Sequence, residues 1–222
     1  MGNAINPFEL MESYGADVLR WYLISSSPIG NSKLFNEEDL SDIQNKFFDT
    51  LINTVRFFII YSNLVDFDYV DEKITKPEDR DILDRWILSE LNTLKKNYSE
   101  LMDDYDITKA TRLLYDFTLD ELSNWYIRRN RKRFRNPQNE KDKQAGYQTL
   151  YEVIMELLKM IAPIAPFLSD KIYQTLTGKD RSIHLTEFTP ANELLTDLKL
   201  EDEMKIAQDI VYLVRSIRVK NN

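Results

Sequence analysis

Apolar residues recur every three or four positions along most of this chain. From a start at Asn36, Leu40, Ile43, Phe47, Leu51, Thr54, Val55, Phe58 and Ile59 define one buried helical face ending near Asn63. Asn36 is a cap residue, and Glu37, Glu38 and Asp39 suit the positive end of that helix. After Pro77, a second long face runs through Ile82, Leu83, Trp86, Ile87, Leu91, Leu94 and Leu101, interrupted by Glu90. Asp103–Asp106 forms an acidic turn. Asp106 then caps a third helix, through Ile107, Ala110, Leu113, Leu114, Phe117, Leu122, Trp125 and Tyr126, that Asn136 and Pro137 break. A fourth helix spans about 140 to 161 on Tyr147, Leu150, Tyr151, Ile154, Leu157, Leu158 and Ile161.

Shorter elements flank these four. Pro7 opens a helix to Tyr14, Gly15 separates it from a second over Ala16–Ser25, and Pro166 opens another that Gly178 terminates. Residues 182–188 alternate in polarity and predict a short strand or extended arm. A last amphipathic helix, Glu201–Val219, is acidic at its start and basic at its end, as the helix dipole favours. The expected fold is all-α, an antiparallel helix bundle with one extended segment near 182–188. The expected division is 1–63, a connector at 64–76, a bundle at 77–200, and the start of an extension at 201–222.

Composition removes several classes of function. Without cysteine there are no disulfides and no thiolate metal sites, and the chain suits the cytoplasm. Five glycines argue against a glycine-rich phosphate loop. No apolar run approaches the ~18 residues of a membrane span. Met1–Gly2 opens like an acylation site, but Asn6 stands where that motif needs Ser or Thr. The single histidine, His184, has neither a nucleophile beside it nor further metal ligands, so it reads as a surface or packing residue. No catalytic constellation can be assembled, and no metal or cofactor site is expected.

Charge changes the picture most. Six of the eight residues Arg128–Arg135 are Arg or Lys. The whole chain carries −8, so without those six positive charges the remainder carries −14. Two or three cations would satisfy a helix C-terminus; six point to a polyanionic partner. Trp125 and Tyr126 lie one turn before the cluster and Phe134 within it. Aromatics interleaved with Arg suit RNA, whose phosphates pair with Arg and whose splayed bases stack on rings. The candidate RNA-binding residues are Trp125, Tyr126, Arg128, Arg129, Arg131, Lys132, Arg133 and Arg135. Arg128, Arg131 and Arg135 share one face, flanked by Arg129, Lys132 and Arg133. Core packing is the competing reading for Trp125; Tyr126 is expected at the edge. A helical protein-interaction module with a basic docking surface is the alternative from another class.

The stretch Leu122–Phe134 (Leu-Ser-Asn-Trp-Tyr-Ile-Arg-Arg-Asn-Arg-Lys-Arg-Phe) resembles the signature of the anticodon-binding domain of the isoleucyl-tRNA synthetase family. Gly2–Phe8, Tyr14–Leu23, Asp84–Ser89, Tyr105–Ala110, Tyr147–Tyr151, Ala162–Ser169 and Ser182–Leu185 also match that pattern, in order. Valyl and leucyl relatives are the runner-up within the class; Asn124–Arg129 favours isoleucyl. The resemblance implies a fragment, with a stem-contact remnant at 1–63 and the anticodon-binding bundle at 77–200. It implies isoleucine tRNA and the rest of the synthetase as partners, a monomer, and a parent enzyme that joins isoleucine to its tRNA with ATP and magnesium. The fragment itself, without the catalytic core, is expected to be inactive.

Overall fold

The computed structural model describes residues 6–28, 30–32, 34–69 and 74–220. Met1–Gly2, part of the Gly2–Phe8 match and part of the 64–76 connector lie outside the described residues. Ten α-helices are described: α1 (Pro7–Tyr14), α2 (Ala16–Ser25), α3 (Glu37–Ile43), α4 (Asp49–Leu64), α5 (Ile82–Asp103), α6 (Ile107–Asp116), α7 (Arg128–Arg135), α8 (Glu140–Ile161), α9 (Pro166–Thr177) and α10 (Leu198–Lys220). Two π-helical stretches join neighbours without a break, Gln44–Phe48 between α3 and α4 and Phe117–Ile127 between α6 and α7. The anticipated long helices are therefore continuous, but two of them change pitch midway.

The caps anticipated at Asn36 and Asp106 form, and Asn139 adds one the sequence reading did not name. Asn36 Oδ1 accepts from Glu38 N–H at 3.1 Å, Asp106 Oδ1 from Lys109 N–H at 3.2 Å, and Asn139 Oδ1 from Asp142 N–H at 2.9 Å. Tyr105, at φ 59°, closes the tight turn from α5 to α6, and Gly178, at φ 64°, ends α9. α5 packs on both α6 and α8, α4 lies against α8 and the second π-helical stretch, and α10 rests on α5. Trp21, Phe47, Trp86, Leu114, Leu122, Tyr147, Leu150 and Ile154 are fully enclosed in one core that runs from Leu10 to Leu200. In the first π-helical stretch the adjacent Phe47 and Phe48 are both buried and both pack on Trp21, with ring centroids at 3.9 and 5.9 Å.

Polar contacts pin the remaining segments to this core. Asp17 accepts from Leu168 N–H at 2.7 Å at the start of α9, and Arg20 donates to the carbonyls of Ile164 and Pro163 at 3.0 and 3.1 Å. Arg80 is 6% exposed. It donates to Glu152 through two nitrogens at 2.7 and 2.9 Å, to Thr149 Oγ1 at 2.9 Å, and to the Thr75 carbonyl at 2.9 Å.

Of the strand or extended arm expected at 182–188, the strand does not form, while Ser182 and Thr186 are extended. Among the described residues there is no strand, and Ile183–Leu185 is a single 3₁₀ turn. A lone strand would leave its N–H groups unpaired. Here the Asp170 carboxylate takes the Ile183 N–H at 2.8 Å and the Ser182 hydroxyl at 2.7 Å, which folds the segment onto α9 with Ile183 buried. Pro77 opens a short 3₁₀ turn, Pro77–Asp79, and α5 begins three residues later under an Asp81 cap.

Replacing Arg80 with Ala leaves the Glu152 carboxylate without its cationic partner. The expected loss is about 3 kcal/mol in urea unfolding; a loss below about 1 kcal/mol would show that this pair does not anchor the connector.

Candidate nucleic-acid interface

The basic octet forms one helix, α7, and the core selects which of its residues face outward. Asn130 and Phe134, four apart, are buried at 4% and 3% exposure. Phe134 packs edge-on against Tyr147 and Phe57, with centroids at 5.2 and 5.4 Å. With those two positions inward, Arg128, Arg129, Arg131, Lys132 and Arg135 are exposed. None of the five forms an ion pair among the described residues. Arg135 donates to Tyr61 Oη at 2.9 Å, and the Arg129 guanidinium lies 4.5 Å from the centre of the Trp125 ring.

Two of the eight expected contact residues are placed elsewhere. Tyr126 is fully enclosed, and its hydroxyl donates to Asp84 Oδ1 at 2.6 Å. An aromatic ring there cannot stack on a base, so its expected place at the edge is corrected. Burial, and then the Asp84 carboxylate, hold the Tyr126 hydroxyl well above the usual phenol range. Arg133 turns inward. It grips Asp84 through two nitrogens at 2.7 Å each, and it donates to Asp142 Oδ1 at 2.7 Å and to the Asp142 carbonyl at 3.1 Å. Burial opposes its charge, and the Asp84 carboxylate more than offsets that. With its fork committed, Arg133 is unavailable to a phosphate.

α8 accommodates this guanidinium through Gly146. A Cβ at that position would lie 3.3 Å from Arg133 Cζ. A glycine inside a long amphipathic helix is the one sequence signal of the close approach. Asp84 itself, 0% exposed on α5, carries no comparable signal in the sequence.

Trp125 occupies a middle position, half-buried, with its indole N–H directed at Met204 Sδ at 3.1 Å. That contact brings α10 beside the interface. Glu201, in the first turn of α10, accepts from Ser89 Oγ and from Thr93 Oγ1 at 2.9 Å, and Gln208 donates to Glu121 at 2.6 Å. Three carboxylates, Glu90, Glu121 and Glu201, therefore converge where α10 crosses α5 and the second π-helical stretch. Burial, then the charges of Glu121 and Glu201, push the Glu90 carboxyl up to about 7, opposed by the Trp86 N–H that it accepts and by Lys205. No helix among the described residues is long and apolar enough to cross a membrane, and no three acidic or His side chains among them are grouped as metal ligands.

The model for the anticodon-binding domain of tRNA ligases matches residues 84–222, and this chain belongs to that family. Among its curated relatives are isoleucine–tRNA ligases. It is 44% identical to that of Bacteroides fragilis over all of its length and 20% of the relative's, and 43% identical to that of Cytophaga hutchinsonii over 98% and 20%. The ligase of Clostridium acetobutylicum is 40% identical over 98% and 21%. The chain thus spans about a fifth of the length of the curated relatives it matches.

Solved structures share the fold at low identity. The LeuRS of Agrobacterium radiobacter K84, in its ternary complex with tRNA and LeuAMS, superimposes with a TM-score of 0.67 at 16% identity, covering 88% of this chain and 22% of that one. Mycobacterium tuberculosis methionyl-tRNA synthetase, bound by methionyl-adenylate, gives 0.65 at 21%, covering 85% and 38%.

Two outcomes test this arrangement. Asp84→Ala leaves the buried Tyr126 hydroxyl without an acceptor and Arg133 with Asp142 as its one carboxylate, and is expected to cost about 3 kcal/mol in urea unfolding. Glu90 binds its proton more tightly in the folded chain than in the unfolded one, so stability falls as pH rises from about 4.5 to about 7. The shift corresponds to ~3 kcal/mol at full value, and to about 1–2 kcal/mol once its partial exposure is allowed for. Glu90→Gln, which keeps the acceptor for Trp86, is expected to flatten that part of the pH–stability curve and to raise the melting temperature at pH 8. An unchanged curve would remove Glu90 as its source.

Proposed function

We propose that this chain is the anticodon-reading part of an isoleucine–tRNA ligase and that it binds the anticodon stem and loop of the isoleucine tRNA. The observation that carries the reading is the set of five exposed cations, Arg128, Arg129, Arg131, Lys132 and Arg135, without ion pairs among the described residues, on one helix of a chain with a net charge of −8. Core residues hold α7 rigid from behind, so these side chains meet phosphates without first ordering a backbone. Trp125 adds a ring beside them. Base stacking on such a ring is worth ~1–3 kcal/mol.

The reaction proposed for the whole enzyme joins isoleucine to its tRNA with ATP and magnesium. The residues of this chain do not fit that cofactor pair. There is no glycine-rich phosphate loop, and no acidic cluster among the described residues is spaced to hold a metal. The chain's part is recognition: arginines fix the RNA backbone, which positions the rest of the tRNA for chemistry performed by the remaining domains, its partners in the same enzyme. In this reading 1–63 contacts the stem, 77–200 reads the loop, and 201–222 leads into an extension. We place the protein in the cytoplasm, as a monomer.

The test is a titration with isoleucine tRNA transcript, native and with a changed anticodon, at two salt concentrations. If three or four phosphates are neutralised, log affinity falls with log salt at a slope of roughly −2 to −3. Replacing Arg128 and Arg129 together with Ala is expected to weaken binding about tenfold or more and to leave the melting temperature unchanged, because both side chains are exposed. Undiminished binding by that double variant, or tighter binding of an acidic protein than of the transcript, would overturn the reading.

A further inference from the structure

α10 is fastened to the bundle through its first half. On α5, Ser89 Oγ accepts from Asp197 N–H at 2.7 Å and donates to the Glu201 carboxylate, which Thr93 Oγ1 also reaches at 2.9 Å. Leu200 is buried beside them. Further along, Met204 meets the Trp125 indole N–H at 3.1 Å, and Gln208 donates to Glu121 at 2.6 Å. Beyond Gln208, Ile210, Leu213 and Ile217 are more than half exposed, so apolar burial holds the second half weakly.

Glu90 lies on α5 under this joint. It accepts the Trp86 N–H at 3.1 Å, and the charges that face it are Glu121 from the second π-helical stretch and Glu201 and Lys205 from α10. Glu121 and Glu201 are hydrogen-bonded by neutral groups, Gln208, Ser89 and Thr93, rather than by cations. Lys205 is 67% exposed and meets Asp209 at 3.2 Å, so it offsets little of this negative charge. An ionised Glu90 would confront two further carboxylates inside a partly buried interface, opposed by both burial and repulsion. A protonated Glu90 avoids both, and so does a Glu90 that water reaches once α10 has lifted. We propose that α10 is a pH-gated arm: it is seated on α5 while the Glu90 carboxyl carries its proton, and when that proton leaves it swings away from Trp125 and Glu121 with its first turn as the hinge. The gate is independent of the RNA-binding reading.

Linkage fixes the direction. Beneath a seated α10, Glu90 holds its proton up to about 7, against an ordinary 4.5, so seating is favoured at low pH and weakens as pH rises between those values. The test is hydrogen–deuterium exchange of the full chain, followed by mass spectrometry at about pH 5 and about pH 7.5, with the intrinsic pH dependence of exchange divided out. Peptides from 201–220 are expected to lose about tenfold in protection at the higher pH, while those of α5 and α8 keep theirs. In Glu90→Gln, which retains an acceptor for Trp86 and cannot ionise, α10 is expected to be equally protected at both values. Glu121→Gln removes one of the repelling charges and is expected to move the loss to lower pH; it serves as the variant if Glu90→Gln does not fold.

Constant protection of α10 in the unaltered chain would overturn the gate. So would a loss shared equally by α5, α8 and α10, which is loosening of the whole bundle rather than the swing of one arm. An undiminished loss in Glu90→Gln, or an unshifted one in Glu121→Gln, would place the proton elsewhere and overturn it as well.

Discussion

The Asp84–Arg133 pair is the constraint on which the interface depends. It joins α5 to α7 across the core, takes in the Tyr126 hydroxyl, and reaches Asp142 at the start of α8. Three helices and the second π-helical stretch are thereby tied at one point. A charge buried this deeply is tolerated only when it is fully paired. Arg133 gives up any external role to meet that condition. In return, the helix carrying its five cationic neighbours is fixed in rotation about its own axis.

The two ends of the bundle are held by the same kind of device. Arg80 locks the segment before α5 onto α8 through Glu152 and Thr149, and Asp17 and Arg20 lock α2 onto the start of α9. α10 is tied differently. Its first turn is fixed through Glu201, yet Ile210, Leu213 and Ile217 are each more than half exposed. It is a strut anchored at one end, over the carboxylates of Glu90 and Glu121, which burial holds above the usual range.

Much of this was legible in the sequence. Caps at Asn36 and Asp106, terminators such as Gly178, and the three-four apolar rhythm placed the long helices within a few residues. These signals are local, and backbone hydrogen bonding reads them locally. What the sequence hid was three-dimensional. Eight consecutive residues gave no sign that Arg133 alone among six cations turns inward, because its partner Asp84 lies 49 positions away. Tyr126 and Trp125 are adjacent and chemically alike, and only the packing of α5 decides which is enclosed. The alternation at 182–188 was genuine, but a strand needs a neighbour, and the Asp170 carboxylate offered the Ile183 N–H a nearer partner.

The π-helical stretch Phe117–Ile127 lies between the part of the bundle that fixes position and the part that presents charge. An α-helix advances about 100° of rotation for each residue. A change in residues per turn upstream of Arg128 therefore sets the azimuth of every side chain downstream, without altering their order. The wider turns of this segment act as a phase adjuster between two rigid rods: the same octet, entered one residue early or late, would send Arg133 into solvent and bury one of its cationic neighbours in its place.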